Sequence, residues 1–445
     1  MTETAPPMVR RAVRRTAPAT RRDDLLERGL VTFVTVGFLL PMLADSLHGT
    51  KEFRPITAPA EPDPAIVSLA ATAGNVLVLL ACLAVLVVHR RRWRDLLGPS
   101  ALLVAAWALA LGVLLAHGSD VPRSVVLVPF VVAAGTLLRP GRTAVAALGA
   151  ATAVVATASL LLGLLLPSAG RYVRPDALAD EKPVGALGIL AGVMPSGNNL
   201  GIALALGLPA VLVLRRPALR WPALAVVLLA LVWTASRASW LTAAGTLGTA
   251  LVLHLVRQRR DLLASLALGA ACTTNLALPF VVNDPTSFTN RATYWIAGIT
   301  SWAEAPLVGH GADYYTVVAR EGGELGGYAY HAHNQVVQLL VTGGIALLVL
   351  VAAAVLIAAI RAVRAAPTAP WPTTFLVALL AASLLEVPLG LVDRGMYAPF
   401  ALLPLVLVLA WRPPTAETPS GAAPATDDID PARPSTTHPP APEAP

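Results

Sequence analysis

Long apolar runs separated by short polar punctuation dominate the chain. They fall at about 29–47, 64–88, 97–116, 121–138, 142–166, 186–214, 217–235, 238–256, 261–281, 334–360, 371–389 and 395–411. A helix needs roughly 20 apolar residues to cross a hydrocarbon core of about 30 Å. The pattern therefore predicts an all-α integral membrane protein with about 12 transmembrane helices, a count open by one or two where closely spaced runs merge. Residues 29–411 form the polytopic membrane domain in this reading. Residues 1–28 hold seven arginines with Pro and Thr and no apolar core, which predicts a disordered basic cytoplasmic arm and not a signal peptide. Residues 412–445 are Pro, Ala, Thr and acidic residues, which predicts a disordered cytoplasmic tail.

Composition agrees with the periodicity. Of the 445 residues, 56% are hydrophobic and only 13% charged, with a mean hydropathy of +0.67, which excludes an ordinary soluble fold. The net charge of +7 is no nucleic-acid footprint, because the arginines lie in short clusters between apolar runs. With the N-terminus inside, alternate loops carry the Arg90–Arg94, Arg139/Arg142, Arg215–Arg220, Arg257–Arg260, Arg361/Arg364 and Arg412 clusters. The positive-inside rule then places both termini in the cytoplasm. Cys82 and Cys272 fall inside apolar runs and are expected as reduced thiols.

Polar residues that interrupt this scheme are the candidates for chemistry. The segment 282–333 is the one long outward loop, and its many aromatics predict short helices on the membrane surface. It closes on Tyr328-Ala329-Tyr330-His331-Ala332-His333-Asn334-Gln335, where two imidazoles and an amide meet the start of a span. Neutral imidazole accepts a proton near neutral pH without a metal. The plain alternative is an interfacial anchor of Tyr and His. Arg237 follows Ser236 between two runs, and Arg291 lies early in the loop. A planar guanidinium holds phosphate oxygens bidentately, although snorkelling to headgroups or plain solvation would also place an arginine at these positions. The sixth run holds Met194-Pro195-Ser196-Gly197-Asn198-Asn199, which predicts a broken helix lining a polar cavity. Glu386 sits in an apolar run with no evident partner. His48, His117 and His254 are scattered, and no metal site or cofactor is expected.

Four segments occur in a telling order. They are Ser236-Arg237-Ala238-Ser239-Trp240, Asn290-Arg291-Ala292-Thr293-Tyr294-Trp295, Pro306-Leu307-Val308-Gly309-His310-Gly311, and His331-Ala332-His333-Asn334. Over about 192–350 this order resembles the O-antigen ligase and polymerase family of bacterial membrane glycosyltransferases. The resemblance implies a GT-C-like helical fold with one large extracytoplasmic loop in the bacterial inner membrane. It implies transfer of a glycan from a polyprenyl-diphosphate-linked donor to an acceptor hydroxyl on a glycan, lipid or protein, inverting and without a metal. His333 would be the general base, with Arg237 and Arg291 on the diphosphate. His331, Asn334, Asn198, Tyr330, Gly309 and Gly311 would support them. Asn198 matches least, because the local spacing departs from the family's usual His-Pro-Asn.

The competing reading is a polytopic transporter or flippase of polysaccharide or lipid-linked substrates, for which about 12 spans is a common number. Transporters tend to show repeated halves and charge near the midplane. Here no repeat is evident, and the polar residues gather on one side. A peptidoglycan polymerase of the shape-and-division type would need an acidic catalytic residue in a large outer loop, which is not evident.

Overall fold

The computed structural model describes residues 21–49, 51–52, 63–173, 187–321, 330–393 and 395–411. All lie in one compact unit, Met1–Arg412. The expectations for residues 1–20 and 412–445 lie outside the described residues.

The chain is built of helices: α1 (Arg21–His48), α2 (Ala65–Val88), α3 (Ala101–Ala116), α4 (Leu127–Leu138), α5 (Arg142–Leu165), the single turn α6 (Pro167–Gly170), α7 (Gly197–Val211), α8 (Pro217–Trp233) and α9 (Arg237–Leu255). Then come α10 (Arg260–Val281), α11 (Ser287–Glu304), α12 (Tyr314–Arg320), α13 (Gln335–Ala365), α14 (Trp371–Leu385) and α15 (Leu403–Ala410). Among the described residues, 6 helices are long and apolar enough to cross a membrane, or 7 if the bent pair Arg90–Leu97 and Ala101–Ala116 counts as one span. The apolar segments Arg123–Leu138, Gly197–Val211, Pro217–Trp233, Trp371–Leu385 and Gly395–Ala410 are shorter. The protein is an all-α membrane protein.

Burial explains why the short helices form. Helices α7, α14 and α15 are almost wholly enclosed, and around them α1 to α5, α8, α9 and α13 turn one face inward. A helix apolar on every side belongs at the centre of such a bundle. The outer helices leave Leu69, Leu80, Val154, Leu229 and Leu266 exposed, as lipid-facing helices do.

Three expectations need correction. Arg21–Arg28 are not a disordered arm but the first two turns of α1. Asp23 and Asp24 sit at the positive end of that helix, where carboxylates are favoured. Glu27 is buried and accepts hydrogen bonds from Gly141 N and Ala144 N at 2.9 and 2.7 Å. The run 186–214 is helical only from Gly197; before it Ile189–Leu190 forms a strand, β3. Strand β3 pairs antiparallel with β2 (Arg171–Val173), and β2 pairs parallel with β1 (Lys51–Glu52). Buried Lys51 donates from Nζ to Gly192 O and Met194 O, tying this small sheet to the chain entering α7. Finally, 395–411 begins as 3₁₀ and π turns before α15, with Pro399 and Pro404 blocking a regular start.

The segment 282–333 carries α11 and α12. Its aromatics do more than coat a surface. Trp295 and Tyr315 are fully buried with Ala292, Ala332, Val337 and Val341 in a second small core. That core clamps the segment onto the first turns of α13.

Candidate functional site

Glu386 follows the last residue of α14, and its carboxylate is the hub of a charged cluster. Arg291 of α11 donates from Nη2 to Oε1 at 3.0 Å and from Nη1 to Leu385 O. The other oxygen, Oε2, faces two imidazoles: His331 Nε2 at 3.8 Å and His333 Nδ1 at 3.6 Å. These last two distances are ion-pair contacts, longer than hydrogen bonds. The imidazole rings lie 3.9 Å apart between centroids, and Tyr294 stands 5.6 Å from that of His333. The side chain of Glu386 is 4% exposed, His331 6% and Arg291 15%, while His333 keeps 20%. His333 is therefore the member of the imidazole pair most open to an incoming group.

Local sequence fixes the two histidines. His331 Nδ1 accepts the backbone N–H of His333 at 3.0 Å, which puts the His331 ring proton on Nε2, toward the carboxylate. His333 has φ +52°, a left-handed conformation costly for a residue with a Cβ. Its neighbours hold it there. Ala332 N donates to Gln338 Oε1 at 2.9 Å. Asn334 caps α13, its Oδ1 accepting from Val336 N at 2.9 Å and Val337 N at 3.1 Å. Its Nδ2 donates to Leu384 O at 3.1 Å. Gln335 completes the junction by pairing with both backbone groups of Leu389. Three chain segments thus converge on the C-terminal end of α14, whose free carbonyls welcome donors and positive charge.

Gly309 and Gly311 belong to the scaffold beneath. Helix α13 breaks at Gly343–Gly344, where Gly344 adopts φ +63°, ψ −164°, a region essentially closed to other residues. The Pro306–Gly311 turn fills the break. Ile345 N donates to Pro306 O at 2.9 Å and His310 N to Val341 O at 2.7 Å. A Cβ on Gly309 would stand 2.4 Å from Val341 O, so only glycine allows this approach.

The other sequence candidates lie elsewhere. Arg237 is exposed in the first turn of α9, behind the N-cap Ser236, whose side chain accepts from Ser239 N. Thr234, Ser236 and Ser239 are buried and already hydrogen-bonded: Thr234 Oγ1 donates to Leu231 O and Ser239 Oγ to Ser236 Oγ, both at 2.7 Å. The polar side chains around Arg237 are therefore engaged within the fold. Asn198 is partly buried in the first turn of α7. Its neighbour Asn199 bonds Ser196 Oγ and Met396 Sδ. Tyr330 is 47% exposed. Partial burial raises the pKa of the Tyr330 and Tyr294 phenols, so both stay neutral donors.

The sequence reading missed the partner set of Glu386. It also expected no metal, yet the ligand atoms of His331, His333 and Glu386 all lie within 4.8 Å of one another, as metal ligands could. Arg291 on the same carboxylate opposes a second cation. The only signal in the sequence was an acid within an otherwise apolar run.

Residues 222–352 match the O-antigen ligase family. No curated protein and no solved structure matches the chain. The family region carries Arg237, Arg291, Gly309, Gly311, Tyr330, His331, His333 and Asn334. Glu386 lies beyond it and reaches the site only through the fold.

Proposed function

We propose that the chain transfers a glycan from a polyprenyl-diphosphate-linked donor to an acceptor hydroxyl at the outer face of the bacterial inner membrane, as a surface polysaccharide ligase or polymerase. The observation that carries this reading is the shared carboxylate. Glu386 holds the Arg291 guanidinium on one oxygen and faces two imidazoles with the other. The family match supplies the class of reaction, and the shorter apolar helices complete the set of about 12 spans.

The roles follow from the geometry. Two of the five N–H groups of Arg291 are engaged by Glu386 and Leu385; the other three remain for diphosphate oxygens. Arg237, itself exposed in the first turn of α9, adds charge from a second direction. With His333 Nδ1–H turned to Glu386, Nε2 is the acceptor for a proton. The acceptor hydroxyl loses its proton to Nε2 as its oxygen attacks the anomeric carbon. The bond from that carbon to the diphosphate breaks, and the diphosphate leaves with the electron pair. One displacement inverts the anomeric centre. Glu386 steadies the imidazolium as it forms, as a buried carboxylate does beside a catalytic histidine. His331 orients Glu386 and His333. Buried Asn334 fixes the start of α13, exposed Tyr330 shapes the rim, and Asn198 stays outside the proton path. The acceptor is a glycan, lipid or protein hydroxyl, and nucleic acid plays no part.

A second reading has its own observation, since the His331–His333–Glu386 group has metal-ligand spacing. Purified protein in vesicles with labelled lipid-linked donor separates the two. Transfer that persists in chelator supports the imidazole base, and transfer lost in chelator and restored by a divalent ion supports the metal. Donor that crosses the bilayer without being transferred supports the flippase.

A further inference from the structure

Far from the histidines, a groove of about 1180 Å³ runs between α1, α5 and the α7–α8 turn. Its wall on α1 extends from Asp24 to Leu43, about 28 Å at 1.5 Å per residue. The α5 wall is made of small residues, among them Ala146, Ala147, Ala150 and Ala151. The groove is thus narrow and apolar along most of its length. One end alone is charged, where Arg28, Arg142, Arg215 and Arg216 line the mouth.

The acids at that mouth are occupied. Glu27 accepts Gly141 N and Ala144 N, and Asp24 accepts Thr143 Oγ1 at 2.8 Å. All four arginines are exposed, and among the described residues none is ion-paired. The groove therefore offers one cationic end and an apolar trough parallel to the spans.

We infer that this groove binds an anionic phospholipid, with its phosphate on the arginine mouth and an acyl chain along the alanine wall of α5. Charge complementarity selects this occupant. A helix from a second copy would fill the trough but leave four arginines without anions, and a zwitterionic lipid would bring a cation to the same mouth. Basic pockets between spanning helices hold anionic headgroups for the same reason. A polyprenyl diphosphate waiting at Arg291 would place its phosphates at the start of α13, whereas these arginines stand at the starts of α1 and α5 and in the α7–α8 turn.

The test is native mass spectrometry of full-length protein extracted from vesicles of phosphatidylglycerol mixed equally with phosphatidylcholine. Wild type is expected to retain phosphatidylglycerol in preference by at least about tenfold, since each arginine near an anionic headgroup contributes roughly fivefold. Arg142→Ala/Arg215→Ala/Arg216→Ala changes exposed residues only and should cut the preference to about fivefold or less, the contribution of the remaining Arg28. Ala150→Trp should reduce retention of both lipids by filling the trough while leaving the arginines in place. Equal retention of the two lipids by wild type would overturn the proposal, as would an unchanged preference in the triple variant. Loss in the triple variant with no effect of Ala150→Trp would place the acyl chain outside the groove and overturn it too. The readout is bound lipid, so it is independent of whether glycan transfer is the reaction.

Discussion

Glu386→Gln is the most informative single change. The amide is isosteric and keeps an oxygen for Arg291 Nη2, so packing and the 3.0 Å hydrogen bond survive. What disappears is the negative charge 3.6 Å from His333 Nδ1. At an effective dielectric of about 20, a unit charge pair at that distance interacts by roughly 4–5 kcal/mol. Arg291 and His331 share the same carboxylate, so His333 receives only part of it. A loss of about 3–4 kcal/mol in the step that forms imidazolium corresponds to roughly a 10²–10³-fold drop in kcat. The donor KM should hardly move, because in the proposed mechanism the N–H groups of Arg291 not engaged by Glu386 and Leu385 hold the diphosphate in either variant. The assay is single-turnover transfer from a saturating lipid-linked donor by protein in nanodiscs, with thermal unfolding measured in parallel. A kcat within about fivefold of wild type would refute the argument that Glu386 acts through His333. A rise in KM with kcat unchanged would place the carboxylate in donor binding instead.

The remaining predictions can be checked with the same preparation. His333→Asn keeps a residue that tolerates the left-handed backbone, so it should fold like wild type and lose about 10²–10⁴ in kcat; near-normal turnover would remove the base. Arg237→Lys should raise the donor KM roughly 10-fold or more, the cost of losing a forked charged contact of about 1.5–3 kcal/mol; an unchanged KM would make Arg237 a headgroup anchor. Gly344→Ala would place a Cβ 2.3 Å from Leu307 backbone at a φ closed to it, and should cost roughly 3 kcal/mol or more, seen as a lowered Tm. Burial lowers Lys51 from 10.5 to about 7, so between those values the unfolded chain binds more protons. The destabilising effect of Lys51 is full below the lower value and fades as pH rises. The Tm of wild type relative to Lys51→Met should therefore climb from pH 7 to pH 9.5, and a constant difference would contradict the shift.

Much of this site could be read from the chain because its parts are local. Ser236 before Arg237 and Asn334 before the α13 run carry their capping chemistry on their faces, and both cap helices. The start of α13 fell within one residue of expectation, because an amide followed by an apolar run marks a helix start plainly. The partner of Glu386 was not legible. Arg291 lies 95 residues away and His333 53, and nothing in a one-dimensional pattern says which helix ends share a corner. Gly309 and Gly311 were readable as a turn or a close approach, but not that α13 breaks to receive them. Residues 21–28 misled for a related reason. Their charges look solvated, yet Glu27 is buried because it caps the backbone entering α5, 114 residues later.

The fastening of distant segments to the end of α14 has a consequence for how such a protein can diversify. Arg291 is tied there from one side and Asn334 from the other, while Gly311 N is held by Thr342 O at 3.2 Å. These anchors are hydrogen bonds to backbone carbonyls and do not depend on the side chains that α11 turns outward. Exchanges at its exposed positions, such as Ile296 and Thr300, are thus nearly neutral for stability. The outer face of that helix can diversify while the cluster of Arg291, His331, His333 and Glu386 stays as it is.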